Sequence, residues 1–424
     1  MIALIAMTLS VSTAAPVLTL QDALAEARST NLDLKVARAR LDQSLQQSRR
    51  AWAGYLPTVL LGGSYTRNSA EAAFALPGTT TQVVIQPYNS LAAQAEVRQA
   101  IIAPTLWPAI RNAGIAQDVA TQNAEYTRRE VLFGVAQAYF SAASLQEAIR
   151  ATQFLLEVNQ AREKDTKARF DAGTVTRVAL LRSQLDRTRA EQDLVRARNS
   201  YDAARLALAT LLQRDSVDFS LQLPAVPEVP PKDEELARKA QDSRPDVLAA
   251  RRNLDLAVGR RQGVWFAYAP SVGFSGVYRA TNAAGFAGQS TTWALTLNGS
   301  WTIWDGGLRE VSLREESARI AEAAALQKQA ETRVSQEVAT ARLDYDNARS
   351  NLTKAEEALS LARETQRLTE ISFKAGVGTY LEVADANAAL TSAEVGSINE
   401  RLNTSLAALR LQRASGLFEA DTKD

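Results

Sequence analysis

Neither cysteine nor histidine occurs anywhere in this 424-residue sequence. Their absence removes disulfides, thiolate nucleophiles, histidine-based triads and the usual zinc or haem ligands. An enzyme would have to work with carboxylates alone, and no region suggests a paired-acid cleft. Charge of one sign is missing as well. The 48 basic residues balance 47 acidic ones, for a formal net charge of +1, which leaves no electrostatic footprint for nucleic acid. Beyond the N-terminus, no stretch approaches the ~20 uncharged apolar residues of a membrane-spanning helix. Met1 to Ala15 is apolar and ends in Ser12, Thr13, Ala14 and Ala15. Residues 1–15 therefore read as the apolar core and cleavage region of a secretory signal, although no basic segment precedes them. A plain hydrophobic tail is the alternative. Lack of cysteine also excludes a lipid on a processed N-terminal cysteine.

Two short motifs are present twice, in the same order. W-x-x-Y-x-P occurs as Trp52, Tyr55, Pro57 and as Trp265, Tyr268, Pro270. F-x-A-G-x-x-T occurs as Phe170, Ala172, Gly173, Thr176 and as Phe373, Ala375, Gly376, Thr379. Pro57 precedes Gly173 by 116 residues and Pro270 precedes Gly376 by 106. Such agreement indicates a tandem duplication of roughly 200 residues, too long for a solenoid unit. Residues 16–214 and 233–417 are the two expected repeats, joined by a linker at 215–232. Within the linker, Leu221 to Lys232 (LQLPAVPEVPPK) is proline-rich and reads as a stiff crossing outside the helices. The acidic Asp233, Glu234 and Glu235 that follow suit a helix N-terminus.

Helical periodicity dominates each copy. Val131, Val135, Ala138, Ala142, Leu145 and Ile149 step alternately by four and three residues, as do Leu194, Ala197, Tyr201, Ala204, Leu208 and Leu211. Val395, Ile398, Leu402, Leu406 and Leu409 repeat the pattern. This heptad spacing predicts coiled-coil packing over 108–213 and 308–415. In the first copy a long helix from Pro108 to Arg169 spans ~93 Å, and the one from Thr176 to Gln213 only ~57 Å, at 1.5 Å per residue. A shorter helix at Leu32–Gly54 makes up the difference. The second copy has the same proportions, with Leu308–Phe373, Pro245–Phe266 and Gly378–Ser415. Two stacked short helices beside one long partner form a column close to ~100 Å long.

Between short and long helix the period changes to two. Pro57 and Pro270 end a helix and begin extended runs. Val59, Leu61, Gly63 and Tyr65 alternate with small or polar residues, and Leu91, Ala93, Ala95 and Val97 alternate with Gln94, Glu96 and Arg98. The second copy has Val272, Phe274, Gly276 and Tyr278, then Trp293, Leu295, Leu297, Gly299, Trp301 and Ile303 against Asn298 and Ser300. About ten residues of alternation with aromatic ends is the pattern of a transmembrane β-strand. One hairpin is expected at 57–104 and one at 270–305, with loop tips at 67–90 and 280–291 absorbing the length difference between copies. Four strands cannot close a barrel, and open edges are not tolerated in lipid. A membrane-embedded sheet of this kind requires several copies of the chain.

With its duplicated motifs, two hairpins and the W-D-G-G segment Trp304–Gly307, the chain resembles the TolC-like outer-membrane factors from Leu18 to Leu417. The resemblance implies a mainly α fold with a transmembrane β part. It also implies a homotrimer with a 12-stranded barrel in the outer-membrane lipid and a 12-helix tunnel reaching into the periplasm. The implied function is a passive exit duct of a tripartite efflux or secretion system. Its partners would be a periplasmic adaptor (membrane fusion) protein and an inner-membrane transporter of RND or ABC type. No cofactor or metal is implied. Twelve strands and twelve helical columns from three copies match in number, so one can continue into the other.

Function in such a duct would sit at a constriction. The turns at Gly173 and Gly376 suit helix C-caps with positive φ, and by resemblance Phe170, Gly173, Phe373 and Gly376 are tip and adaptor-contact candidates. Glu382 and Asp385 lie three residues apart on one helix face, where similar proteins place pore-facing acids. With Arg177 they form the candidate periplasmic gate, as two stacked carboxylate rings in a trimer. Ala179 stands where relatives carry an aspartate, so a latch would need another arrangement, such as Arg177 with Glu382. Plain helix-turn residues and a solvated acidic face are the simpler readings of the same positions. Gln94, Glu96, Arg98, Asn298 and Ser300 are expected to line the barrel lumen. The competing function is a coiled-coil scaffold without channel activity, its hairpins serving assembly.

Overall fold

The computed structural model describes residues 16–75, 78, 82–231 and 235–418. The expected secretory signal lies outside them, as do Lys232 at the end of the linker and the acidic Asp233 and Glu234 that follow it. In chain order the elements are β1 (Val17–Leu18), α1 (Leu20–Thr30), α2 (Leu32–Ala53), β2 (Thr58–Arg67), β3 (Ala72–Ala75), β4 (Gln82–Gln86), β5 (Asn89–Ile102), α3 (Leu106–Asp171) and α4 (Arg177–Leu212). Then come β6 (Ser220–Leu221), α5 (Leu236–Ser243), α6 (Pro245–Phe266), β7 (Ser271–Thr281), a 3-10 turn at Gly285–Ala287, β8 (Thr291–Ser300), α7 (Leu308–Lys374) and α8 (Tyr380–Ala414). The chain divides into two compact units. One is helical, built from the chain up to Arg38, Ala124–Val247 and Glu331 onward. The other contains the sheet and comprises Ala39–Asn123 and Leu248–Ala330.

In the helical unit, burial along α3 follows what surrounds it. Leu132, Val135, Ala136, Tyr139, Phe140, Ala142 and Ala143 are buried almost all round the helix. They form one cluster with Ala23 and Ala27 of α1, Leu208 and Leu212 of α4, Leu409 of α8 and Phe219. Farther along α3, burial narrows to Thr152, Asn159 and Thr166, one residue per heptad. On α7 the inward positions Val338, Ala341, Tyr345, Ala348, Leu352, Ala355 and Leu359 step by three and four, the seam of a coiled coil. Many seam residues are small, which lets backbones approach closely.

The linker is laid onto this unit rather than held away from it. Strand β6 at its start pairs in parallel with β1, and Leu221 is buried in the core. Tyr139 donates its hydroxyl hydrogen bond to the Leu18 carbonyl (2.7 Å) and accepts one from the Gln222 N–H (3.3 Å). Arg342 and Gln412 then bind the Pro230 and Glu228 carbonyls at 3.1 and 2.6 Å. This part of the linker runs against the helices, its carbonyls finding donors on α7 and α8. Glu235 sits at the N-cap of α5, but its side chain makes no capping hydrogen bond.

The sheet unit carries one four-stranded antiparallel sheet in the order β2-β5-β7-β8. Both hairpins form where alternation predicts them, and β5 joins them by pairing with β7, Ala95 opposite Tyr278 and Arg98 opposite Ser275. Strand β8 ends at Ser300, earlier than the alternation to Ile303 suggests. The ladder stops there because its partner β7 begins at Ser271, opposite Ser300, immediately after Pro270. The first loop also differs from expectation, since it folds a small hairpin of its own, β3 with β4. Its Phe74 ring meets Phe286 of the second loop edge-on at 5.4 Å. Among the described residues, no helix is long and apolar enough to cross a membrane.

Candidate functional site: a two-faced sheet and two helix-hairpin tips

Register assigns every strand residue to a face, because directly paired residues of antiparallel strands point the same way. One face collects Val59, Leu61, Tyr65, Leu91, Ala93, Ala95, Val97, Phe274, Tyr278, Trp293, Leu295 and Leu297. The opposite face collects Thr58, Ser64, Thr66, Gln94, Glu96, Arg98, Ser275, Arg279, Thr296, Asn298 and Ser300. All five residues expected to line a lumen share this second, polar face. There Arg98 grips Glu96 with Nε and Nη2, the latter at 3.0 Å, so the two strand charges neutralise each other. The apolar face is bare. Leu61 is 78% exposed and Trp293 72%. A soluble sheet would not leave such a surface uncovered, and among the described residues strands β2 and β8 each leave one edge unpaired.

Where strand β8 passes into α7, the W-D-G-G segment builds a polar knot. Asp305 accepts from the Gly307 and Arg309 N–H groups at 3.2 and 3.3 Å and from Arg309 Nε at 2.8 Å. Buried Arg309 also reaches the Ile303 carbonyl and stacks 4.2 Å over the Tyr268 ring. Tyr268 donates to Glu310 (2.9 Å), and its carbonyl accepts from Trp301 Nε1 (3.0 Å). The tyrosine of W-x-x-Y-x-P is thereby tied to the segment after the last strand. In the first half, Tyr55 instead donates to the Ala103 carbonyl at 3.2 Å. Asp305 and Arg309 were not among the expected site residues. An aspartate just before two glycines and a helix start was the available signal.

The two helix-hairpin tips are built alike. Gly173 (φ +72°) and Gly376 (φ +79°) follow the ends of α3 and α7 in the left-handed region, where a β-carbon is strained. The Thr174 N–H bonds the Arg169 carbonyl (2.9 Å) and the Gly173 N–H that of Phe170 (2.9 Å). Val377 and Gly376 repeat this with Ser372 and Phe373 at 3.0 and 3.1 Å. Both are Schellman caps. Thr176 and Thr379 then start the return helices, their hydroxyls accepting from the N–H three residues on.

The tips meet. Arg169 places its guanidinium 5.0 Å from the centre of the Phe373 ring, and a cavity of about 990 Å3 opens beside them. Val158, Arg169, Val175, Phe373, Gly376 and Asn387 are among its lining residues. Phe170 and Gly173 do not line it. Arg169 and Asn387 escaped sequence reading, since only the juxtaposition of the two hairpins gives them a role.

The three candidate gate residues are not brought together. Glu382 is committed to its own helix start, accepting the Thr379 N–H at 2.7 Å while its N–H bonds the Thr379 hydroxyl. That backbone hydrogen bond holds its carboxyl below the usual glutamate range. The capping-box spacing T-x-x-E was visible in the sequence. Asp385, one turn on, is exposed, as is Arg177. Among the described residues of the single chain, Arg177 makes no bond with Glu382. Counting from the capping threonines, Ala179 corresponds to Glu382 and Arg182 to Asp385, so at the second of these positions the two tips carry opposite charge.

A sheet with one bare apolar and one polar face fits a membrane-embedded part, and the other unit consists of long helical hairpins. The sequence model of the family described as "Outer membrane efflux protein" matches residues 23–213 and again 236–417, and the chain belongs to that family. It is an outer-membrane protein, of a family of ducts rather than of enzymes. Outer membrane protein TolC of Escherichia coli is 24% identical over 417 residues, covering 92% of this chain and 80% of TolC. Among solved structures, VceC from Vibrio cholerae matches with a TM-score of 0.76 at 19% identity, over 94% of this chain and 96% of VceC. The open-state MtrE outer membrane channel of Neisseria gonorrhoeae matches with a TM-score of 0.78 at 21% identity, over 96% and 91%.

Proposed function

We propose that three copies of this chain close one 12-stranded barrel above a 12-helix tunnel, forming the passive exit duct of a tripartite efflux or secretion system. The two-faced, open-edged sheet carries this reading. Its bare leucines and tryptophans suit acyl chains, its polar face suits water, and unpaired edges in lipid cost several kcal/mol per unsatisfied group, on the order of the penalty that excludes open sheets. The chain is a tandem of two repeats, 16–214 and 233–417, joined by the linker at 215–232. The repeated family match and the paired tips support that division.

In this duct Gln94, Glu96, Arg98, Asn298 and Ser300 face the lumen. The tips around Phe170, Gly173, Phe373 and Gly376 meet a periplasmic adaptor, which joins the duct to an inner-membrane transporter. Asp385 supplies the pore-facing charge, and Glu382 serves the helix start. The test is purification from outer membranes in detergent, followed by reconstitution in planar bilayers. A trimer with stepwise conductance is the expected result. A water-soluble monomer without conductance overturns the proposal and leaves the coiled-coil scaffold.

A further inference from the structure

Three helices that abut the sheet share a feature with no part in the duct as described so far. Each carries an exposed tryptophan at its sheet end: Trp52 on α2 is 59% exposed, Trp107 on α3 52% and Trp265 on α6 54%. Each also carries an arginine one helical turn farther from the sheet: Arg49, Arg111 and Arg261. Spacings of three or four residues put tryptophan and arginine on the same helix face, about 4.5–6 Å apart along the axis at 1.5 Å per residue. All six belong to the sheet unit. Two of the helices, α3 and α6, are also neighbours, with Trp107 packing edge-on against Phe266 at 5.8 Å and Arg111 bonded to Gln262.

Among the described residues these arginines have no carboxylate partner. Arg49 bonds Gln46, Arg111 bonds Gln262 and Arg261 bonds Ser317. Some arginines elsewhere on the long helices pair with acids at three or four residues, as Arg128 and Arg129 do with Glu125, or Arg319 with Glu315 and Glu316. On α2, α3 and α6 the nearest acids are Asp42, Asp118 and Asp255, about two turns away, and the last two face Arg252. On α7, Glu310 is occupied by Tyr268. The level just below the tryptophans therefore presents guanidinium groups bonded only to neutral side chains.

Tryptophan settles at the boundary between acyl chains and headgroups. A guanidinium one turn beyond it lies at the depth of the lipid phosphates, whose oxygens its planar fork matches. We infer that Arg49, Arg111 and Arg261 form an arginine collar that binds anionic phospholipid headgroups of the periplasm-facing leaflet. The inference rests on the duct reading, which sets which end of each helix meets the membrane. Its role is to fix the depth and strengthen the seating of the sheet.

The test compares purified protein in vesicles of phosphatidylcholine alone and of phosphatidylcholine mixed with phosphatidylglycerol. The wild-type protein should unfold at a higher temperature in the mixed vesicles, and high salt should shrink that shift. The variant R49Q/R111Q/R261Q should lose the shift while keeping its oligomeric state. Single Gln variants, each losing part of it, serve if the triple variant does not fold. An equal shift in wild-type and variant proteins overturns the collar. Equal stabilisation by inorganic phosphate in detergent assigns the arginines to a free-anion site and overturns it too. Failure to enter vesicles of any composition would sink the duct reading itself, an outcome separable from insertion without lipid preference.

Discussion

Arg169, in the last turn of α3, caps the face of Phe373, in the last turn of α7, at 5.0 Å. It links one helix-hairpin tip to the other beside a cavity of about 990 Å3. An exposed cation–π contact contributes about 0.5–1 kcal/mol. Removing it with F373A or R169Q should raise the open-to-closed ratio of the tips about two- to five-fold. Open probability in planar bilayers measures this, and R169K should lie between.

The two acids at the start of α8 should separate. E382Q removes a carboxylate that receives the Thr379 N–H, so amide exchange should quicken in the first turn of α8 while ion selectivity stays constant. D385N should reduce cation preference, since its carboxylate is exposed and has no bond among the described residues. R182Q, at the matching place on α4, should increase that preference. Reversal potentials in a salt gradient decide, and equal effects of E382Q and D385N would refute the assignment.

Sheet faces give a sharper contrast. L297R puts a charge on the apolar face and should cost about 2–4 kcal/mol near the bilayer midplane. T296R, its neighbour on the polar face, should insert almost as the parent does. The measure is the fraction of protein assembled in the outer membrane.

Arg309 is buried and ion-paired to Asp305 at 2.8 Å. Breaking such a pair by D305A should destabilise by roughly 3–5 kcal/mol, read as a lower unfolding temperature of the oligomer. R309M/D305A should recover part of the loss, because it leaves no uncompensated charge.

Glu125 dictates a pH dependence in the helical unit. Burial pushes its carboxyl up, but Arg128 and Arg129, each bonded to it at 2.8 Å, more than offset this and hold it low. A depressed carboxylate stabilises the fold above its unfolded value of about 4.3, and that contribution fades as pH falls through the folded value. Unfolding temperature should therefore drop in acid for the parent and less so for E125Q.

Much of this was legible in the sequence, for local reasons. Helix α6 begins at Pro245 and ends at Phe266 as expected, because Pro245 suits a first turn and the Pro270 motif ends the run. Alternation placed Gln94, Glu96, Arg98, Asn298 and Ser300 on one face, because side-chain period and register are the same physical fact. What sequence could not supply depended on distant partners. Trp301 and Ile303 continue the alternation of β8, yet Pro270 removes the neighbour they would need. Strands β1 and β6 are two residues each and exist only through one another. Glu382 looked pore-facing because spacing reports a helix face and not whether the carboxylate is already engaged. Arg169 sits in an ordinary i,i+4 pair with Asp165, and nothing in that pattern points to Phe373.

The β5–β7 pairing has a consequence for assembly. It sets the returning strand of one hairpin beside the leading strand of the next, as a ring of copies must do when β8 of one molecule meets β2 of its neighbour. Transferring the internal register, in which Glu96 faces Val277, sets Asn298 across from Ser64. In a polypeptide devoid of native thiols, cysteines at just those two places should weld neighbouring subunits into a covalent hoop.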